Sequence, residues 1–219
     1  MLFRSSDLMN LKTETLKNVS ESKVVAVVRG TSAEEAIAIS EAAISGGFRA
    51  IELTYTTPDV AKVFTALTGT EALLGAGTVL DPETARHAIL SGAKFIVSPN
   101  FNKEIAVLCN RYSIAYLPGC MTISEIVTAL ESGCDIVKLF PANRFDPSFI
   151  GAINGPLPQV RVMPTGGVNL ENVMDWLNAG AVAAGIGSDL NKAYRAAGKE
   201  GVTELCSKYI NTVSGGNAS

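Results

Sequence analysis

The chain has 219 residues, 47% of them hydrophobic and 6% aromatic, with 18 Lys and Arg against 21 Asp and Glu for a formal net charge of −3. That length and even composition fit one domain, 1–219, and the acidic balance without a Lys/Arg block excludes a nucleic-acid footprint in favour of a small-molecule partner. The single histidine excludes a multi-His metal site, so no metal is expected, and His87 sits in a helical pattern as a surface bystander.

Along the chain, Met1–Ser20 lacks the apolar stretch of a targeting segment, and no run reaches membrane-span length. The expectation is a cytoplasmic chain with no membrane partner. Asp7–Ser20, within an N-terminal segment 1–22, reads as an extra helix ahead of the first strand. From residue 23 to 213, short β-branched runs alternate with helical patterns, which is the signature of βα units and a parallel sheet. The strand candidates are Val24–Val28, Ala50–Thr54, Leu73–Gly77, Phe95–Ser98, Ile114–Leu117, Ile136–Phe140, Val160–Pro164 and Val182–Ile186.

Helix starts are marked by short polar caps. Ser32 with Glu35 and Thr122 with Glu125 have capping-box spacing, Thr57-Pro58, Asp81-Pro82 and Asp146-Pro147 are cap-plus-proline starts, and Asn169 opens another helix. Gly46, Gly92, Gly133 and Gly180 suit the left-handed turn that ends a helix. Eight units of about 24 residues each predict a closed (β/α)8 TIM barrel, with an open doubly wound sheet as the alternative. Residues 214–219 read as a disordered tail. Cys109, Cys120, Cys134 and Cys206 lack CxxC spacing and read as reduced cytosolic thiols.

In a barrel, chemistry gathers at the C-terminal ends of the strands. Those ends carry Arg29, Glu52, Thr54, Thr78, Ser98-Pro99, Lys138, Thr165-Gly166-Gly167 and Gly187-Ser188. Strand alternation gives Lys138 only apolar neighbours, and lost hydration favours a neutral amine able to attack a carbonyl. Glu52 shares a face with Ala50 and Thr54, and burial favours a carboxyl that can take and return a proton, although a nearby cation opposes this. From the residues alone, a structural Glu–Lys pair remains equally open. The glycine elements MetProThrGlyGlyVal and GlyIleGlySerAspLeu end the last two strands and suit a phosphate cradle, because small residues expose backbone N–H groups at helix starts. Arg29 offers a planar cation to an anion or pairs locally at the surface. Trp176, with Val173 and Leu177, reads as helix packing.

The motifs IleGluLeuThr, GlyAlaGlyThrVal, SerProAsn, LeuProGlyCysMetThr, ValLysLeuPhePro and ProThrGlyGlyVal, in that order over residues 20–213, resemble the bacterial 2-keto-3-deoxy-6-phosphogluconate (KDPG) aldolase family. That family also includes 4-hydroxy-2-oxoglutarate (KHG) and phosphogalactonate-type aldolases. The resemblance implies a class I aldolase of the Entner-Doudoroff type, a homotrimer that acts on a phosphorylated keto acid without a cofactor. It casts Lys138 as the Schiff-base lysine, Glu52 as the general acid/base, and Thr78, Thr165, Pro99 and Phe140 as substrate neighbours. Gly166, Gly167, Gly187 and Ser188 would hold the phosphate. Some members carry Arg where this chain has Thr56. Others carry it after the first strand, which gives the anion contact to Arg29. A phosphosugar isomerase or synthase barrel and a non-catalytic sugar-phosphate sensor are the readings from other classes.

Overall fold

The computed structural model describes residues 11–215. Helix α1 (Leu11–Ser22) leads into β1 (Val24–Val28), α2 (Ala33–Ser45), β2 (Ala50–Thr54), α3 (Val60–Ala66), β3 (Leu73–Gly77), α4 (Pro82–Ser91), β4 (Phe95–Val97), α5 (Lys103–Arg111) and β5 (Ala115–Leu117). The chain continues through β6 (Gly119–Cys120), α6 (Ile123–Glu131), β7 (Ile136–Leu139), α7 (Phe149–Asn154), β8 (Arg161–Pro164), α8 (Val173–Asn178), β9 (Ala184–Ile186) and α9 (Ser188–Gly215). Helix α9 is kinked at Ala197 and Gly198, which have non-helical backbone angles. Of the expected extra helix, Leu11–Ser20 is helical and Asp7–Asn10 lies outside the described residues; of the expected tail, Ser214 and Gly215 end α9 and 216–219 lie outside.

All strands pair in parallel, in the orders β5–β4–β3–β2–β1–β9 and β6–β7–β8. Strands β5 and β6 are two halves of one extended run, parted at Pro118, which has no N–H to give to a ladder. The Pro118 carbonyl still accepts from Lys138 N at 2.8 Å, so the run passes from β4 on one side to β7 on the other. Beyond β8, Val182 N donates to the Val162 carbonyl at 3.0 Å, and Thr165 bridges to Gly185. The fold is an α/β fold whose parallel sheet curls around an interior.

Period-two alternation sorts the side chains into two cores. Ala26, Ile51, Leu53, Ile96, Val137 and Leu139 face outward, into a core shared with the helices that includes Val173 and Trp176. Val25, Ala50, Phe95, Val97, Ala115, Leu117, Ile136, Met163 and Ala183 face inward, where Leu16 and Val19 of α1 meet them. Most of these inward residues lie at the beginnings of strands, so α1 closes the N-terminal end of the sheet. Layers interlock there: a side chain at Gly75 would collide with the Phe95 ring from the neighbouring strand.

Several helix signals shift by a few residues. Asp81 and Thr122 cap as expected, and Thr122 with Glu125 forms a complete capping box. Ser32 accepts from Glu35 N, but the Glu35 carboxylate reaches Thr31 rather than its cap. Thr57-Pro58 does not start α3, because Asp59 in a left-handed conformation precedes Val60. Asp146-Pro147 likewise precedes α7 by a turn, and Asn169 forms a local turn, accepting from Glu171 N and Asn172 N, before α8 starts at Val173. In SerGlyGlyPhe the left-handed residue is Gly47, not Gly46. Among the described residues, no helix is long and apolar enough to cross a membrane.

Candidate active site

Glu52 pairs with Val27 and Gly75 at the middle of one sheet, while Lys138 pairs with Gly119 and Met163 at the middle of the other. No ladder joins their strands. Lys138 Nζ nevertheless lies 3.6 Å from Glu52 Oε1, with side-chain exposures of 7% and 0%. Each stands two residues along its strand from an inward apolar residue, Ala50 or Ile136, and so occupies the next layer towards the C-terminal end.

A buried carboxylate or ammonium is costly unless it is paired and its remaining lone pairs and protons are hydrogen-bonded. Here the compensation is incomplete. At 3.6 Å the amine is close enough to offset the charge, but it lies outside good N–H···O geometry. Neither Glu52 oxygen finds a protein hydrogen-bond partner. The arrangement sets an amine beside a carboxyl whose oxygens have no other protein partner, which suits contact with a polar reactant.

The surroundings are cut to fit. A side chain at Gly77 would collide with the Glu52 carboxylate, and one at Gly185 would collide with the Thr165 hydroxyl. Thr165 is buried and its Oγ1 has no partner. The Phe140 ring lies 5.0 Å from Lys138 Nζ. Thr54, further along the inward face of β2, shares a 3.0 Å hydrogen bond with Thr56 Oγ1. Pro99 presses its carbonyl against Gly119, the ladder partner of Lys138, where no side chain would fit. Thr78 ends β3 with φ +56°, a strained conformation for a β-branched residue.

The glycine elements lie at the ends of the adjoining strands β8 and β9. Gly166 and Gly167 have φ values of +94° and +81°, and Asn172 Nδ2 donates to the Gly167 carbonyl at 3.0 Å. Gly187 leads into Ser188, the first residue of α9 and exposed. Asn191, in the first turns of α9, donates from Nδ2 to the Arg29 carbonyl at 2.8 Å, which ties the end of β1 to this helix start. The structure thus brings Lys138, Glu52 and Phe140 together, sets the Thr165 hydroxyl against Gly185, and sets Arg29 beside the helix that Gly187 and Ser188 open.

His87 lies apart, exposed on α4, with Nδ1 2.8 Å from the Tyr55 hydroxyl. Cys120 is near the site by sequence, but burial, followed by the Glu125 charge, pushes its thiol up to about 12, so it stays protonated and weakly nucleophilic at neutral pH. Among the described residues, no group of three or more His, Cys, Asp and Glu could hold a metal ion. Sequence reasoning passed over Gly77 and Gly185 as space-makers; their signal is a glycine on an inward strand face whose neighbouring strand or following turn carries an inward polar residue.

A curled parallel α/β sheet with an amine and a carboxyl facing each other suits imine chemistry on a carbonyl substrate, and a match to an aldolase family makes the protein a lyase of the aldolase class. The family described as KDPG and KHG aldolase matches residues 16–204, and the chain belongs to that family. It is 38% identical over 174 residues to a 2-dehydro-3-deoxy-6-phosphogalactonate aldolase of Escherichia coli (strain K12), a match covering 78% of this chain and 85% of the relative. It is 37% identical over 158 residues to a 2-dehydro-3-deoxy-phosphogluconate aldolase of Treponema pallidum (strain Nichols), covering 71% and 75%. A solved KDPG aldolase from Legionella pneumophila, with pyruvate captured as a covalent carbinolamine, superposes with a TM-score of 0.79 at 31% identity, covering 90% of this chain and 98% of that one.

Proposed function

We propose that this chain cleaves 2-keto-3-deoxy-6-phosphogluconate to pyruvate and glyceraldehyde 3-phosphate through a Schiff base on Lys138. The observation that carries this reading is the buried 3.6 Å approach of Lys138 to a Glu52 carboxylate that has no hydrogen-bond partner. Lys138 gives a proton to Glu52 and its neutral amine attacks the C2 ketone to form a carbinolamine; Glu52 then returns that proton to the departing hydroxyl, so that water leaves and a protonated imine remains. Glu52 takes the C4 hydroxyl proton as the C3–C4 bond breaks, and that bond's electron pair moves into the imine to form an enamine. Glyceraldehyde 3-phosphate leaves. Protonation of the enamine at C3 and hydrolysis release pyruvate and restore the lysine. Thr78, Pro99, Phe140 and Thr165 line the keto-acid end, Arg29 meets an anionic group, and Gly166, Gly167, Gly187 and Ser188 hold the phosphate against the start of α9.

The eight-stranded reading supports this placement. On this reading β5 and β6 count as one strand and the Thr165–Gly185 bridge continues β8 into β9, which favours a closed (β/α)8 barrel with β2 and β7 opposite each other. A homotrimer fits the exposed apolar side chains Leu80 and Met121, on turns after β3 and β6, and Ile123 at the start of α6. A cytoplasmic setting fits the four free, buried cysteines. Light scattering that returns a monomer mass would remove the trimer.

Borohydride added with pyruvate should attach an adduct to the Lys138 peptide, and Lys138→Ala should abolish both the adduct and cleavage. Full activity in that variant would overturn the mechanism. The phosphogalactonate epimer is the second reading, favoured by the 38% identity to an aldolase of that name. Cleavage rates of the two epimers and of 4-hydroxy-2-oxoglutarate, measured side by side, decide between them. The KDPG reading expects the highest kcat/KM on the gluconate epimer.

A further inference from the structure

The outward face of β5 carries a polar feature that the chemistry above does not use. Ala115 and Leu117 point into the interior, whereas Tyr116 points the other way, among the helices, and is 3% exposed. A buried phenol needs hydrogen-bond partners. Tyr116 has them on the turn between β4 and α5, and one of them, Ser98, reaches on to the turn after β3. Its hydroxyl lies 3.0 Å from Ser98 Oγ and 3.3 Å from the Asn100 carbonyl, and it accepts from Asn102 N at 3.2 Å. Ser98, also fully buried, spends its own proton on the Val79 carbonyl at 2.6 Å. The Ser98 oxygen is therefore the acceptor for Tyr116, and the chain of bonds runs from Tyr116 through Ser98 to Val79. Burial pushes the Tyr116 phenol well above its ordinary range, so it keeps its proton.

Both ends of this chain hold segments that border the cleft. Val79 is anchored twice, by Ser98 at its carbonyl and by the Val97 carbonyl at its N–H, and it directly follows the strained Thr78. A β-branched residue in the left-handed region persists only where its surroundings over-determine it. Pro99 lies between Ser98 and Asn100, two of the three residues that Tyr116 touches in the turn after β4.

We infer that Tyr116 is a positioning residue for the lyase reaction: through Ser98 it locks the turn after β3 and the turn after β4 to each other, and so fixes Thr78 and Pro99 on the wall of the Lys138–Glu52 cleft. Tyr116 touches no reactant, because it faces away from the interior. The inference rests on the aldolase reading.

The test is Tyr116→Phe, which keeps the buried ring and removes only the hydroxyl, with Ser98→Ala as the second variant. Displacing groups that hold a reactant by a fraction of an ångström lowers turnover by about tenfold or more. We expect kcat for cleavage to fall by about tenfold in each variant with KM nearly unchanged. At saturating pyruvate the yield of the borohydride-trapped adduct should match wild type, since Lys138 keeps its own place and the displaced Thr78 and Pro99 act on alignment for C3–C4 cleavage rather than on imine formation. The double variant should be no slower than the slower single one, because both break the same chain. Wild-type kcat in Ser98→Ala and Tyr116→Phe would overturn the inference, whatever their melting temperatures. So would additive losses, or trapping that falls in step with kcat. If Tyr116→Phe does not fold, Ser98→Ala decides alone. Failure of wild-type enzyme to be trapped with pyruvate would instead strike the aldolase reading itself.

Discussion

The two ends of the curled sheet are built from the same strands and from opposite materials. At the N-terminal end, Leu16 and Val19 of α1 press onto Val25, Ala50, Phe95 and Ile136, and the layer is apolar throughout. Two residues further along β2 and β7 the layer becomes Glu52 and Lys138, an under-bonded buried pair, and just past the end of β8 the buried Thr165 hydroxyl also has no partner. The first layer gains from being dry and full. The second carries buried polar atoms with unmet bonding capacity, an arrangement that lowers stability and persists where function needs it. The same fold thus assigns stability to one end and chemistry to the other.

The sharpest way to break that division is Glu52→Gln, which keeps the shape and removes the proton acceptor. General acid–base groups contribute about 10²- to 10⁴-fold, so kcat should drop by that much in a stopped-flow cleavage assay. A wild-type rate would take Glu52 out of proton transfer and return the pair to a structural role. Leu16→Ala tests the other end. Leu16 is 5% exposed against the inner core, and its truncation should lower unfolding stability by about 2–4 kcal/mol in urea titrations. Its kcat should stay at wild type below the melting range. A matching loss of kcat would show that the plug and the site act as one unit.

The strands were the most legible part of the sequence. β1, β2 and β3 fall on the expected residues, because each is an uninterrupted apolar or small-residue run with clear flanks. Gly119–Cys120 was not legible as strand, since Pro118 interrupts the run and only the ladder from Lys138 N to the Pro118 carbonyl shows that it continues. The starts of α3, α7 and α8 lie two to four residues beyond their polar markers, because Thr57, Asp146 and Asn169 spend their bonding on the turn itself or on another strand's loop; Thr57 Oγ1, for example, accepts from Gly30 N. For the site, alternation placed Glu52 and Lys138 on inward faces, but nothing local states that β2 and β7 face each other. That follows from the way the sheet curls, which is a property of many strands together. The strain at Thr78 and the spaces at Gly77 and Gly185 were invisible for the same reason.

The smallest effect sharpens the comparison most finely, because it separates position along the strand from direction. Thr122 follows β6 at the chemical end of the sheet, yet its side chain caps α6 on the outside. If the division were simply top against bottom, Thr122→Ala would slow cleavage. If what matters is facing the interior, the variant should lose about 1 kcal/mol of stability from the missing cap and keep its kcat. The reciprocal arm of the cap adds a pH signature. The Glu125 carboxyl is held below its ordinary value of 4.5, first by the hydrogen bond from Met121 N and in part by those from Thr122, against a smaller opposing effect of burial. A carboxyl depressed in the folded state stabilises fully above its unfolded value and loses that contribution as the pH falls through the folded one. The stability gap between wild type and Glu125→Gln should therefore be constant from neutral pH down to about 5 and narrow on further acidification. A gap that widens on acidification would mean that Glu125 is not held as an anion by the helix start, and that the α6 cap is weaker than its geometry indicates.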